Sequence, residues 1–405
     1  MNLKKKHIIL GVSGGIAAYK SVELLRLLKR EGADVRVVMT ANAAWFVGPL
    51  TFKALSGHPV CSGLFEDHAD ASIRHIDWAG EADAVIVAPA TANIIGKLAG
   101  GIADDALSTL LLAVTAPVVV CPSMNTHMYL SRPVQRNLET LKADGRHILD
   151  PSAGDLACGT TGPGRLPEPE EILDRLKAVL TPKDLARKRV VVTAGPTHEP
   201  LDPVRFISNP SSGKMGYAVA RAAEQRGARV TLIAGPNTLA DPQNVKLIQV
   251  ETAREMAEAV FGCLPEADLV VKAAAVSDYR PARAAARKIK KVKKEMTLAL
   301  ERNPDILEEL GRRKKGQVLV GFAAETEKLA ANATKKLAAK NLDMIVANLV
   351  GKPGSGFGVD TNRVKFFYKN GDKESLPAME KDAVAHILLD RVVERFLKQD
   401  PKKSK

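Results

Sequence analysis

The feature that most constrains the fold is a pattern that occurs twice: a β-branched apolar strand, a glycine-containing turn and an alanine-rich helix. It lies at residues 7–32 and again at residues 190–226. In parallel α/β proteins this order brings backbone N–H groups and the positive end of a helix to a ligand. The pattern restarts after a charged stretch at 181–188, which we interpret as a linker. We therefore predict one α/β unit at 1–180 and a second at 189–405.

Strand and helix patterns alternate through both units, and such alternation is typical of doubly wound parallel sheets. In the first unit we predict strands near 7–12, 34–39, 84–88, 117–121 and 147–150. In the second unit we predict strands near 189–193, 228–234, 245–250, 268–274, 317–322 and 342–348. The predicted fold class is therefore α/β, with two doubly wound Rossmann-like domains.

Three features of the composition favour a cytoplasmic protein without membrane contact. The longest apolar run, Ala106–Val120, is shorter than the roughly 20 residues that a spanning helix needs. The turn at Gly11–Gly15 interrupts the apolar N-terminal stretch, so we expect no signal peptide. The four cysteines form no CxxC pair, which disfavours a zinc site and suits a reducing compartment.

The chain is basic, with a formal net charge of +13, and the segment Arg280–Lys294 carries eight Lys and Arg residues without an acid. Such a balance suits nucleic acid or a phosphorylated small molecule. Because aromatic residues are almost absent from this segment, stacking on bases is unsupported and we expect no nucleic-acid partner. Two interpretations stay open at this point: a solvated charged surface, or a basic loop that closes over phosphates.

The glycine turns themselves do not identify a ligand. Ser13, Gly14 and Gly15 suit a mononucleotide phosphate, although an ordinary tight turn explains them equally well. They do not match the GxGxxG dinucleotide pattern. The segment Ser211–Gly216 contains a Gly-Lys pair but lacks the remaining Walker A residues.

Several longer motifs carry a specific resemblance. In the first unit they are GVSGGIAAYK at 11–20, HID at 75–77, APATAN at 88–93, PSMNTHM at 122–128 and ACG at 157–159. In the second unit they are TAGPTHEPLDPVRFISNPSSGKMG at 193–216, AAAVSDYR at 273–280, KIKK at 288–291, NPDIL at 303–307, GFAAET at 321–326 and GFGVDTN at 356–362. Over nearly its whole length the chain resembles the bifunctional phosphopantothenoylcysteine decarboxylase/phosphopantothenate–cysteine ligases of bacterial coenzyme A synthesis. Trp78 departs from this pattern, where an aliphatic residue is expected.

The resemblance implies that the first unit is a flavodoxin-like, FMN-dependent cysteine decarboxylase domain. It implies that His75 is a base, that Asn125 orients the substrate carboxylate and that Cys158 supplies a proton from a glycine-rich flap. It also implies a set of FMN-binding residues: Ser13, Gly14, Gly15, Thr40, Pro89, Thr91 and Ser108.

For the second unit the resemblance implies a CTP-dependent ligase that joins cysteine to 4′-phosphopantothenate through an acyl-cytidylate. Asn209 matches a position that handles the acyl-cytidylate, and Lys288 matches a position that acts on the reacting phosphates. The implied CTP-binding residues are Ala273, Ala274, Ala275, Asp278, Lys288, Pro304, Asp305, Ile306, Leu307, Phe322, Lys336 and Lys340. Mg²⁺ is expected with CTP, and the sequence assigns no ligands to it.

The same resemblance implies a homo-oligomer, with trimers of the first unit and dimers of the second that together give a dodecamer. A rival hypothesis is a non-catalytic flavin-fold regulatory or binding protein, since such relatives keep the fold and lose catalytic residues. The presence of His75, Asn125 and Cys158 argues against it.

Overall fold

The computed structural model describes residues 3–64, 71–156, 159, 161–290, 295–325, 327–349 and 358–397. The chain forms two compact units, one over residues 2–181 and one over residues 182–405. Both are α/β, which confirms the predicted fold class. No helix within the described residues is long and apolar enough to cross a membrane.

The described part of the first unit is built on a parallel sheet of five strands. The strands are β1 (His7–Val12), β2 (Asp34–Met39), β3 (Ala84–Ala90), β4 (Val118–Pro122) and β5 (His147–Ile148). Their spatial order is β2-β1-β3-β4-β5, which is the flavodoxin-like order. A separate antiparallel hairpin pairs β6 (Ser152–Asp155) with β7 (Thr161–Arg165).

Helices cover the sheet of the first unit. They are α1 (Ala18–Arg30), α2 (Pro49–Ser56), α3 (Ala71–Glu81), α4 (Ala92–Gly100), α5 (Ala106–Ala113), α6 (Thr126–Leu130), α7 (Arg132–Ala143) and α8 (Pro169–Leu180), with a 3₁₀ turn at Ala41–Trp45. Successive strand residues alternate between two core clusters, with Ile8 and Leu10 in one and Ile9 in the other. Trp78 is buried in the second of these clusters, with the Arg36 guanidinium 5.3 Å from its ring centroid.

The second unit is built on a larger sheet, whose described strands follow the order β12-β11-β8-β13-β16-β17-β19-β20. These are β8 (Arg189–Ala194), β11 (Arg229–Ala234), β12 (Lys246–Gln249), β13 (Leu269–Lys272), β16 (Val318–Glu325), β17 (Met344–Leu349), β19 (Val364–Tyr368) and β20 (Lys373–Ser375). The six strands from β12 to β17 are parallel, in the order found in Rossmann folds. The edge strands β19 and β20 are antiparallel and were not predicted.

Short strands and helices complete the second unit. The short strands are β9 (Glu199–Pro200), β10 (Phe206–Ile207), β14 (Tyr279–Pro281), β15 (Leu300–Arg302), β18 (Thr361–Asn362) and β21 (Met379–Glu380). The helices are α9 (Lys214–Gln225), α10 (Ala253–Cys263), α11 (Ile306–Arg313), α12 (Leu329–Ala339) and α13 (Lys381–Val392), with a 3₁₀ turn at Leu264–Glu266 and a π-helical end at Val393–Leu397.

The predicted linker is packed against the second unit. Leu185 is fully buried in the core of that unit, and its N–H donates to the Arg226 carbonyl oxygen at 3.1 Å. The Arg226 guanidinium donates to Asp184 and to Asp390, the latter at 2.7 Å. Residues 184 and 185 are therefore part of the second folded unit.

Each parallel sheet has a point at which the strand order reverses, and sheets of this kind have a crevice there. The reversal lies between β1 and β3 in the first unit and between β8 and β13 in the second. In open parallel sheets, ligands bind beyond the carboxyl ends of the strands that flank this point. Several predicted site residues lie at these strand ends, including Ser13–Gly15 after β1, Pro89 and Thr91 at the end of β3, and Ala273–Ala275 after β13.

Candidate active sites

The second unit contains a cavity of about 720 Å³ beyond the carboxyl ends of β13 and β16. All but one of the residues predicted to act in this unit line it: Asn209, Ala273, Ala274, Ala275, Asp278, Pro304, Asp305, Ile306, Leu307, Phe322, Lys336 and Lys340. The exception is Lys288, which is exposed and does not line the cavity. The cavity has room for a substrate of nucleotide size.

The backbone after β13 is fixed by the neighbouring strand and its loop. The Ala274 N–H donates to the Thr193 hydroxyl at 3.2 Å, and the Ala275 N–H donates to the Gly195 carbonyl at 2.9 Å. The Asn209 side-chain amide donates to the Val276 carbonyl at 3.0 Å. Asn209 is thus held against the alanine segment that forms one wall of the cavity.

The cavity lining also carries a cluster of charges at the start of α11, on α12 and directly after α12. Asp305 caps α11 by accepting from the Glu308 N–H at 3.0 Å, and it pairs with the Lys340 ammonium at 2.6 Å. Burial of Asp305 raises its pKa, but the Lys340 hydrogen bond and the cap outweigh this effect and leave the pKa below its usual value. Lys336 also lines the cavity, whose lining holds six Lys and Arg residues against three Asp and Glu residues, and this excess of positive charge suits a polyanion.

Lys272 lines this cavity and was not predicted. It is the last residue of β13, and its ammonium donates to the Ala274 carbonyl at 3.0 Å. Burial, together with repulsion from Lys336 and Lys340, lowers the pKa of Lys272 to about 8. Its position directly before Ala273, at a strand end beside the switch point, is a sequence signal that could have identified it.

A second group of cations lines another part of the cavity. Lys214 opens α9 and pairs with Asp360 at 2.6 Å, while the buried Lys381 donates to the Val359 carbonyl. Burial, followed by repulsion from Lys214, lowers the pKa of Lys381. Neither lysine was predicted. Lys381 is far away in sequence and becomes a neighbour of Lys214 only in the folded unit.

Helix α9 begins at the cavity in a way that requires glycine. Gly213 adopts φ of +75°, a left-handed conformation that residues with a Cβ rarely adopt. A Cβ at Gly216 would lie 2.5 Å from the Ala194 Cβ and 2.8 Å from the Thr193 carbonyl oxygen. The helix therefore starts in direct contact with β8, and its free N–H groups lie at the cavity, where they suit an anion.

In the first unit, the turn after β1 is tied to the turn after β3. The Ser13 hydroxyl donates to the Pro89 carbonyl at 2.7 Å and accepts from the Thr91 N–H at 3.0 Å. Thr91 in turn caps α4. This brings Ser13, Gly14, Gly15, Pro89 and Thr91 to one end of the sheet.

Two observations indicate that this end fits the phosphate of a flavin mononucleotide. A Cβ at Gly14 would lie 2.4 Å from the Asn42 Cβ, so the turn after β1 is in close contact with the turn after β2. Thr40 begins that second turn, and its buried hydroxyl has no hydrogen-bond partner among the described residues. A buried hydroxyl beside a helix start is unfavourable unless a ligand satisfies it.

Ser108 lies elsewhere in the first unit. It is buried in the first turn of α5, where its N–H and hydroxyl complete a capping box with Asp105. Its hydroxyl is therefore engaged in starting the helix. A contact between Ser108 and a flavin stays a prediction.

Of the three residues predicted to act in decarboxylation, the structure describes Asn125 fully. Asn125 caps α6, where its side-chain oxygen accepts from the His127 N–H at 2.8 Å. His75 lies on α3, and its side chain is outside the described part of the structure, as is the whole of Cys158.

The hairpin β6–β7, which flanks Cys158 in sequence, packs on the Asn125 turn. The Met124 N–H donates to the Gly164 carbonyl at 3.0 Å, and a Cβ at Gly164 would lie 2.2 Å from the Met124 carbonyl oxygen. A Cβ at Gly162 would similarly lie 2.8 Å from the Thr126 side chain. These glycines let the hairpin lie directly against the turn that carries Asn125.

Comparisons with known proteins match both units of the chain. The family described as "DNA/pantothenate metabolism flavoprotein C-terminal domain" matches residues 185–396, and the family described as "Flavoprotein" matches residues 1–181. The chain is 52% identical over 394 residues to the "Coenzyme A biosynthesis bifunctional protein CoaBC" of Bacillus subtilis (strain 168), covering 96% of this chain and 97% of that protein. The chain belongs to the CoaBC family.

Other relatives carry the same description. The Escherichia coli (strain K12) protein of that name is 47% identical over 401 residues, covering 98% of both chains. A crystal structure of the C-terminal domain of a CoaBC protein is 43% identical, with a TM-score of 0.47, and covers 54% of this chain and 100% of that chain. The protein is thus a flavoprotein and a bifunctional enzyme of coenzyme A biosynthesis, with a decarboxylase domain and a ligase domain.

Metal ligands are not evident in the described residues. Among them, no group of three or more His, Cys, Asp or Glu side chains is arranged to hold a metal ion. A Mg²⁺ ion that arrives with a nucleotide triphosphate keeps several waters and binds the phosphates together with only one or two carboxylates, so it needs no such group.

Proposed function

We propose that the second unit joins cysteine to 4′-phosphopantothenate at the expense of CTP, and that the first unit decarboxylates the product to 4′-phosphopantetheine with FMN. One observation carries the proposal for the second unit: a single cavity brings together the predicted nucleotide-binding residues. The Asn209 amide and the Lys336 and Lys340 ammonium groups belong to residues that line it.

In the ligase reaction the carboxylate of 4′-phosphopantothenate attacks the α-phosphate of CTP and displaces pyrophosphate. The amine of cysteine then attacks the acyl carbon of the acyl-cytidylate, which gives the amide and CMP. In-line displacement of this kind needs stabilisation of negative charge on the phosphates. Lys272, Lys336, Lys340 and the N-terminus of α9 supply it from the cavity wall, and Lys288 is proposed to act on the reacting phosphates.

Asn209 is proposed to hold the acyl-cytidylate. Asn209 lines the cavity, and its side-chain amide is held by the bond to the Val276 carbonyl. The amide oxygen is left as a possible acceptor for a ligand. Mg²⁺ bound with CTP would neutralise part of the triphosphate charge during displacement.

In the decarboxylase, Ser13, Gly14, Gly15 and Thr40 would hold the FMN phosphate, with Pro89 and Thr91 at the adjoining strand end. Bound FMN supplies the redox chemistry that turns the cysteine side chain into an electron sink for loss of CO₂. Asn125 is proposed to orient the substrate carboxylate, His75 to act as the base and Cys158 to return a proton to the product.

We also propose that the protein is a cytoplasmic homo-oligomer. Large apolar side chains are exposed on the segments that follow β1 and β2, including Ile16 (64%), Trp45 (88%) and Leu50 (76%). In the second unit, Val204, Phe206, Tyr279, Met296 and Leu300 are exposed around the short strands β9, β10, β14 and β15. Exposed apolar side chains that lie together can mark association sites, and these support self-association of both units. The proposed stoichiometry, a trimer of first units and a dimer of second units that together give a dodecamer, follows from the family resemblance.

The domain boundaries proposed here are 1–180 for the decarboxylase and 189–405 for the ligase, with 181–188 between them. The burial of Leu185 supports starting the ligase at about residue 182 instead. A non-catalytic binding protein is not favoured, because the relatives that match the whole chain are described as bifunctional.

The visible absorption spectrum of the purified protein tests the decarboxylase assignment. We expect a yellow protein whose released chromophore is FMN. For the ligase, pyrophosphate release with CTP and phosphopantothenate in the absence of cysteine tests the acyl-cytidylate step. Lys288→Gln should reduce this release to a low residual rate, whereas Lys290→Gln should retain it. Equal losses in both variants would reduce Lys288 to a general contribution of charge.

A further inference from the structure

The most constrained side chain near the basic segment is the carboxylate of Asp202, which lies in the turn between β9 and β10. The side chain is fully buried, at 0% exposure. One of its oxygens accepts from the N–H groups of Val204 and Arg205, both at 2.9 Å. The other accepts from the Arg205 guanidinium, at 3.0 Å from Nε and 2.5 Å from Nη2.

The same carboxylate also holds the segment that carries Lys288. The oxygen that faces Arg205 accepts from the Ile289 N–H at 3.0 Å. The Arg205 Nη2 in turn donates to the Ile289 carbonyl oxygen at 2.9 Å. Both peptide groups of Ile289 are therefore fixed to the turn, and the first of them is the peptide that joins Lys288 to Ile289.

A third bond ties the two segments together nearby. The Ala285 N–H donates to the Leu201 carbonyl oxygen at 2.9 Å. The backbone from residue 285 to residue 289 thus follows the turn at residues 201–205, whereas the Lys288 side chain is exposed.

The hydrogen bonds of the Asp202 carboxylate persist at physiological pH, because the carboxylate stays ionised. The Arg205 guanidinium and the N–H donors, that of Ile289 included, hold the pKa of Asp202 well below its usual range, although burial opposes them. A carboxylate with a lowered pKa stays ionised at neutral pH and contributes its stability until the pH falls toward that pKa. Charge-assisted bonds to a buried carboxylate are also the stronger kind of hydrogen bond.

We propose that Asp202 is a positioning residue for the ligase: it fixes the peptide that joins Lys288 to Ile289, and so sets where the Lys288 ammonium lies when the phosphates react. The proposal rests on the proposed action of Lys288 on CTP. Asp202 itself does not line the cavity.

A purely structural role for Asp202 is the competing explanation, and Glu199 provides a matched control. Glu199 lies on β9, is equally buried at 1% exposure, and accepts from the Ala253 N–H at 3.0 Å. This hydrogen bond connects Glu199 to α10 and not to the basic segment. Glu199→Gln therefore changes a buried carboxylate in the neighbouring strand β9, and it leaves the bond between Asp202 and the Ile289 N–H in place.

The experiment measures pyrophosphate release by the full-length enzyme with CTP and phosphopantothenate, cysteine omitted, for Asp202→Asn, Glu199→Gln, Lys288→Gln and the double variant Asp202→Asn/Lys288→Gln. Asp202→Asn should lower kcat on the order of 10- to 100-fold, because misplacing a reacting group by about 1 Å has an effect of that size. The KM for CTP should change less, and Glu199→Gln should keep most of the activity. The double variant should be no slower than Lys288→Gln alone.

Several outcomes separate the possibilities. Multiplied losses in the double variant, or an equal loss in Glu199→Gln, would overturn the positioning role. Full activity of Asp202→Asn beside an inactive Lys288→Gln would overturn it and leave the proposed function intact. Full activity of Lys288→Gln would instead overturn the proposed role of Lys288 and, with it, the positioning role.

A second variant keeps the proposal testable if Asp202→Asn does not fold. Ile289→Pro removes the N–H that Asp202 binds and leaves the carboxylate and Arg205 in place. It should lower kcat in the same way as Asp202→Asn. Wild-type kcat in Ile289→Pro would overturn the proposal. Decarboxylation of added phosphopantothenoylcysteine, measured on the same samples, checks that the first unit is intact, and circular dichroism checks that the variant as a whole is folded.

Discussion

Replacing Lys272 with methionine should change stability and binding in opposite directions. The Lys272 ammonium is packed at the end of β13 beside Lys336 and Lys340, and its pKa is lowered from 10.5 to about 8. The difference corresponds to about 3 kcal/mol by which the folded unit disfavours the charged form. Methionine has a similar shape and no charge, so Lys272→Met should remove much of this cost.

The expected size of the effect is smaller than the full 3 kcal/mol. Lys272 is partly exposed to the cavity, so water offsets some of the burial, and its bond to the Ala274 carbonyl is lost in the variant. We expect the free energy of unfolding at pH 7 to rise by about 1–2 kcal/mol. Nucleotide binding should weaken by about 10-fold or more, since a charge-assisted contact contributes about 1.5–3 kcal/mol.

The pH dependence provides the sharper test. Between pH 8 and 10.5 the unfolded chain keeps the proton on Lys272 while the folded unit releases it, so the wild-type unit should gain stability as the pH rises through this range. Lys272→Met should lack this gain, and the exposed Lys335→Met should keep it. Urea unfolding of a fragment of residues 182–405, followed by circular dichroism, measures these differences. Destabilisation by Lys272→Met at pH 7, or an unchanged pH profile, would refute the reasoning.

Three further predictions concern both units. Gly14→Ala should lose bound flavin, because its Cβ would overlap the turn after β2. Gly15→Ala should retain flavin, because the nearest neighbour of its Cβ would lie 3.7 Å away. Flavin absorbance after gel filtration distinguishes the two variants. A fragment of residues 189–405 should be less stable than one of residues 182–405 by about 2–5 kcal/mol in urea unfolding, the usual effect of losing a buried leucine. Cys158→Ala should still release CO₂ but leave the flavin reduced, and full turnover of this variant would exclude the proton-donor role.

The central parts of both sheets could be predicted because they consist of buried, β-branched strands that alternate with helices. The antiparallel edge formed by β19 and β20 was missed, although the Asn370–Gly371 pair between the two strands is a hairpin signal. The stretch 181–188 was interpreted as a linker because most of its residues are polar. The burial of Leu185 depends on contacts with distant segments, which local composition does not reveal.

Some residues of the candidate sites could likewise be predicted from the sequence, and others could not. Residues that follow strand ends, such as Ser13 and Ala273, could be predicted because the sheet topology determines where strand ends lie. Lys272 follows the same rule and was still missed, since a lysine at the end of a buried strand resembles an ordinary surface residue. Lys381 could not be predicted, because its neighbour Lys214 is distant in sequence. Asp202 has local contacts as well, but its link to Lys288 depends on the Ile289 N–H, which comes from a segment distant in sequence.

The most direct test of the division of labour is to assay two separate fragments, residues 1–181 and residues 182–405, for both partial reactions. The second fragment should release pyrophosphate from CTP with phosphopantothenate, and it should release no CO₂ from phosphopantothenoylcysteine. The first fragment, loaded with FMN, should release CO₂ and should form no pyrophosphate. Pyrophosphate release by the first fragment, or CO₂ release by the second, would contradict the assignment of one reaction to each unit.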